Sequence, residues 1–192
     1  MLTHILAGLL TLALAVISGA LLDESQNPPP ANPDAAAIAD FQRAVKDYAA
    51  LHQQLESTLN PLPEKPTPQQ VGEHQRGLER LLGRARADAK AGDIFSTPIR
   101  AYFRRQIARV LEGPSGQAVL DSILDEDTRA VRLRINSRYP SNIPVSNVPP
   151  QILLVLPRLP EELEYRFVGA RLVLLDVHSF TIVDFIDRAL SR

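Results

Sequence analysis

The chain has 192 residues, a formal net charge of −1 and no cysteine. That charge balance gives no overall attraction to nucleic acid. The lack of thiols excludes cysteine catalysis, iron–sulfur clusters, disulfides and cysteine-ligated zinc, so any fold must rest on burial alone.

The first 22 residues carry the clearest signal. No charged side chain occurs from Ile5 to Leu22, and Ser18-Gly19-Ala20 places small residues where a signal peptidase cuts. The segment reads as an export signal cleaved after Ala20, as an uncleaved membrane anchor through residues 5–22, or as a soluble N-terminal helix. The first two place the protein in the periplasm or outside the cell. Residues 23–34, DESQNPPPANPD, are polar and rich in proline, as in an extended tether.

A helical region is expected over residues 35–127. The first helix runs from about Pro33 to Leu59, with Ile38, Phe41, Val45, Tyr48, Leu55 and Leu59 on one seam and His52 filling the missing step. Asn60-Pro61-Leu62-Pro63 ends it. Thr67-Pro68-Gln69-Gln70 has the form of a helix start: Thr as cap, Pro first, Gln three positions after the cap. The second helix carries Val71, His74, Leu78, Leu81 and Leu82 on one face and fades at Ala91-Gly92. Its short link to the first predicts an antiparallel hairpin. Ser96-Thr97-Pro98 starts a third helix to about Glu112, buried through Ile99, Phe103, Ile107 and Val110. A fourth spans Ser115 to about Leu124.

Residues 128–192 change period. Val131, Leu133 and Ile135 alternate with Arg132 and Arg134, as on a half-buried strand. A short helix opens near Pro149-Pro150. Three strands follow at about 164–168, 171–177 and 181–186. Tyr165 with Phe167, and Val173, Leu175 and Val177, give them apolar faces that the helices should cover, with Arg132, Arg134 and Arg166 turned to water. The fold class expected is α+β, a helical hairpin and further helices beside a small antiparallel C-terminal sheet.

Three groups of polar residues could carry chemistry. His52 and His74 take seam positions on paired helices, level enough to meet, and with Glu73, Glu56 or water could hold zinc, nickel or copper. The plainer alternative is a polar layer that fixes helix register. Asp176, His178 and Asp184 form a second group, in which a carboxylate could orient an imidazole base. Ser179 adjoins His178 and Ser115 follows Gly113-Pro114, but neither has the strand–turn–helix setting of a nucleophile elbow. Third, the stretch from Arg76 to Arg109 holds far more Lys and Arg than Asp and Glu, either a solvated helix face or an anion-binding surface. No glycine-rich phosphate loop is present.

Tyr165-Arg166, Val168-Gly169, the apolar run Leu172 to Asp176, and Ile182-Val183-Asp184 resemble the C-terminal β-module of small periplasmic proteins linked to nickel and cobalt homeostasis. The resemblance covers about 30 residues. It departs at Ser179-Phe180-Thr181, where that family usually has Thr-Gly. The whole chain is also similar to exported bacterial proteins of unknown function. The resemblance implies a small antiparallel sheet and supplies no catalytic residues.

These readings together give a non-enzymatic envelope protein that binds or scaffolds, with no cofactor and no nucleic acid. Its partner would be another envelope protein or an anionic ligand. The alternative is periplasmic metal homeostasis through His52 and His74, and a hydrolase ranks last.

Overall fold

The computed structural model describes residues 32–124, 132–139 and 147–190. The segment read as an export signal or anchor, most of the proline-rich stretch after it, the acidic Asp125-Glu126-Asp127, Val131 and residues 140–146 lie outside these. No described helix is long and apolar enough to cross a membrane.

Helix α1 spans Pro33–Glu56, and the Asn32 side chain accepts from the Asp34 N–H to cap it. Phe41, Val45, Tyr48 and His52 form its buried stripe. It ends three residues before the expected Leu59. The Ser57 and Thr58 hydroxyls donate to the carbonyls of Gln54 and Leu55, an alternative to continued helix that these side chains readily offer. Helix α2, Pro68–Ala85, opens with the expected capping box between Thr67 and Gln70 and buries Leu78 and Leu82.

The second helix was expected to reach Ala91-Gly92, but it stops at Ala85. The chain is needed elsewhere. The Arg86 guanidinium turns inward, donates to Asn136 Oδ1 and the Val183 carbonyl, and lies 5.1 Å over the Tyr48 ring. Beyond it, the N–H groups of Gly92, Ile94 and Phe95 wrap the Asp184 carboxylate, with Gly92 at a φ of 101°. Helix α3, Thr97–Glu112, buries Ile99, Phe103, Ile107 and Leu111. Helix α4 covers Gly116–Leu124 and α5 is the single turn Pro150–Leu153.

Strands β1 (Leu163–Val168), β2 (Arg171–Asp176) and β3 (Thr181–Ile186) form an antiparallel sheet in the order β1-β2-β3. Gly169, at a φ of 56°, takes the turn between β1 and β2. Tyr165 pairs with Leu174 and Phe167 with Leu172, so all four share the face turned to the helices, where Phe103 of α3 meets Tyr165 edge-on at 5.8 Å. The architecture is α+β, as the change of period implied.

Three expectations for the sheet need correction. Val173 and Leu175 do not face the helices. They join Tyr139, Val168 and Ile182 in a second cluster on the opposite face, because β2 is central and buried on both sides. Arg132–Ile135 does not form a strand either. Asn136, at a φ of 60°, turns the chain there and donates to the Arg86 carbonyl. Only residues 136–139 then pair with the start of β3, through Asn136, Ser137 and Tyr139. Leu133 packs on the second cluster while Arg132 and Arg134 stay exposed. Arg166 is mostly buried, its side chain 14% exposed and paired with Glu164.

Candidate metal centre

Where the end of β2 meets α1, four polar side chains come together. Asp176 is the last residue of an apolar strand and has no solvent exposure. An ionised carboxylate in that position is tolerable only if its lone pairs are filled, and they are. Oδ2 accepts from the Tyr48 hydroxyl at 2.8 Å and lies 2.6 Å from His52 Nδ1. Oδ1 accepts from the backbone N–H groups of His178 and Ser179 and from the Ser179 hydroxyl. Burial alone would raise the carboxyl pKa, but the His52 hydrogen bond and the Ser179 donors outweigh it and hold it below the usual value.

Because a carboxylate only accepts, His52 Nδ1 carries a proton and its lone pair is on Nε2 when the ring is neutral. Nε2 points at two further donor atoms. His178 Nδ1 lies 3.1 Å away and Glu56 Oε2 3.2 Å away, and His178 Nδ1 to Glu56 Oε2 closes the triangle at 3.4 Å. His52 and Glu56 stand four residues apart, so one helix face presents both. His178 comes from the turn between β2 and β3, and its imidazole meets that of His52 edge-on with ring centres 4.9 Å apart.

The charges follow from this contact. For His52, burial disfavours the imidazolium, yet the hydrogen bond and charge of Asp176, with the charge of Glu56, hold its pKa above the ordinary value. For Glu56, partial burial works upward, while the bond from His74 and the nearby imidazoles of His178 and His52 win and lower its pKa. Burial, followed by the charge of Asp176, pushes the Tyr48 hydroxyl far up, so it stays a neutral donor.

Both sequence-flagged imidazoles reach this place, in unequal roles. His52 is fully buried. His74, its side chain 13% exposed, touches the other oxygen of the same carboxylate, with Nε2 3.2 Å from Glu56 Oε1. The histidine pair therefore shares Glu56 rather than meeting directly. Glu73 is turned away and accepts from Gln69 on the surface.

The second sequence group divides. Asp176 and His178 belong to the same centre as His52. Asp184 does not: its carboxylate, fully buried, accepts from Gly92, Ile94 and Phe95 and anchors the α2–α3 connection. Ser179 is buried and donates to Asp176, on the far side of the carboxylate from His52. It is placed to fix the carboxylate, not to be deprotonated by the imidazole. The basic stretch is partly consumed by structure, since Arg86 is drawn inward, Arg104 donates to the Asp187 carbonyl, and Arg105 pairs with Asp34.

The apolar periodicity could not reveal that α1 and the β2–β3 turn meet. One local signal could have marked Asp176 further: it is an acid closing the apolar run Leu172 to Leu175, and such an acid needs partners once the strand is buried.

A cavity of about 580 Å³ lined by Gln53, Glu56, Leu62 and His74 opens beside the centre and connects its Glu56 side to solvent. A second cavity, of about 750 Å³, runs along β1 and α5, where Leu153, Leu159 and Tyr165 give it mainly apolar walls. No protein-family model, curated protein or solved structure matches the chain.

Proposed function

We propose that this protein is a non-enzymatic metal-binding protein of the bacterial envelope, holding one divalent transition ion on His52 Nε2, His178 Nδ1 and Glu56. The observation that carries the reading is the triangle of 3.1, 3.2 and 3.4 Å between the three donor atoms. Ligands bound tetrahedrally at 2.0–2.1 Å are about 3.3–3.4 Å from one another, so an ion fits above the triangle with little movement. Behind it, Asp176 fixes the His52 tautomer that leaves Nε2 free for a metal, the carboxylate–histidine–metal arrangement. Two imidazoles and one carboxylate suit zinc, nickel, cobalt or copper better than calcium or magnesium, which prefer oxygen alone. The export segment supports the envelope assignment.

In the absence of metal, a proton takes the place of the ion between His52 Nε2 and His178 Nδ1, which lie 3.1 Å apart. Binding therefore releases protons and competes with acid.

Equilibrium dialysis of the purified chain against zinc, nickel and cobalt should retain one ion per chain, with retention lost in His52→Ala and His178→Ala. Wild-type protein that is folded by circular dichroism and retains none of the three would overturn the reading. For the address, material recovered from the envelope should begin at Leu21, and an intact Met1 would favour the anchor.

A further inference from the structure

The triangle of His52, His178 and Glu56 leaves one corner of a tetrahedron. A three-ligand zinc site keeps that corner for water and tends toward hydrolysis, while a fourth protein ligand closes it. The chain holds one further imidazole beside the triangle. His74 Nε2 is 3.2 Å from Glu56 Oε1, and that same oxygen is 3.4 Å from His178 Nδ1. His74 is thus one carboxylate oxygen away from the donor atoms. It borders two cavities, of about 580 and 280 Å³, so its ring has room to turn. Its helix is held firmly by Leu78 and Leu82, both fully buried, so the ring can reorient without the backbone following.

We infer that the bound ion takes His74 as its fourth protein ligand, so that metal loading closes the coordination sphere and pins α2 to α1 and to the β2–β3 turn. This rests on the metal reading above and extends it. Glu56 then gives one oxygen to the ion and releases His74. Three imidazoles, one bound carboxylate and the second carboxylate of Asp176 behind His52 bring two negative charges to a dication, which balances the buried charge without extra protons. The ligands come from three separate elements: His52 and Glu56 from α1, His74 from α2, and His178 from the turn after β2. An ion here ties elements far apart in sequence, and its outer side faces the cavity that reaches solvent. That suits exchangeable binding, as in a carrier or sensor, and leaves no open position for a catalytic water.

The competing arrangement keeps His74 on Glu56 and water on the ion. X-ray absorption of the zinc-loaded full chain separates the two by counting imidazoles from their multiple-scattering signature. The expectation is three per zinc in the wild type and two in His74→Gln, with amide exchange in α2 slowed by zinc in the wild type and much less so in the variant. Two imidazoles in both proteins would overturn the fourth-ligand assignment while leaving the site itself standing. A wild-type chain that takes up no zinc would remove both. Because the wild-type count decides, the result does not depend on how well the variant folds.

Discussion

His52 and Asp176 stand 124 positions apart in sequence and 2.6 Å apart in space, and neither side chain has any solvent exposure. This contact joins the helical layer to the sheet. A buried pair of this kind contributes less by its mutual attraction than it costs when one partner is lost, because the other is then left charged or unsatisfied.

Replacing Asp176 by Asn tests that asymmetry. The amide keeps the shape but turns one acceptor into a donor facing the His52 N–H and the Tyr48 hydroxyl. Chemical denaturation should show a loss of about 3–5 kcal/mol, and metal affinity should fall by about 10- to 100-fold. An unchanged denaturation midpoint would mean that the network does not hold the two layers together.

Stability of the metal-free protein should depend on pH with two limbs. His52 has a raised pKa, so its contribution is complete below the free-imidazole value of about 6.5 and is lost as pH rises through the raised value. Asp176 and Glu56 have lowered pKa values. Their contribution is complete above the usual carboxylate range of about 4 and is lost as pH falls through the lowered values. Urea midpoints measured across pH 3–9 should therefore be highest on the mildly acidic side of neutrality. The alkaline fall should flatten in His52→Gln; a fall of the same size in that variant would assign it to another group.

Leu78 lies at the centre of α2 with no exposure, and Leu59 packs beside its neighbour Gly77. Leu78→Asp places an unpaired charge in that seam and should destabilise by about 4 kcal/mol or more. Thermal unfolding that matches wild type would show that α2 is not fastened through this residue.

Gly169 turns the chain from β1 to β2 at a φ of 56°. Gly169→Ala forces a Cβ into the left-handed region, at about 1–2 kcal/mol, and should lower the thermal midpoint by several degrees. Ala170, exposed and next to it, serves as the control when changed to Ser, with no shift expected.

Much of the architecture was legible locally. Proline and threonine at the helix starts, the spacing of Phe41, Val45 and Tyr48, and the return to short alternating runs after residue 163 are all signals within one turn or one strand, so they located α1, α2, α3 and the three strands. Where local signals misled, a distant group had recruited the backbone. Arg86 and the N–H groups of Gly92, Ile94 and Phe95 serve Val183 and Asp184, which cuts α2 short. Asn136 turns toward Arg86, which breaks the alternation from Leu133 to Ile135.

The candidate site divides in the same way. The parts are legible in the chain: two imidazoles on helix seams, Glu56 one turn after His52, and an acid closing an apolar strand with a histidine two residues on. Which parts belong together depends on how the layers pack. That packing set His178 and Asp176 on either side of His52, put Glu56 between His52 and His74, and sent Asp184 to a separate anchoring role. Periodicity reports which face of an element is buried, but not which distant element covers it. That choice follows from packing β2, buried on both faces, against the Tyr48 and His52 side of α1.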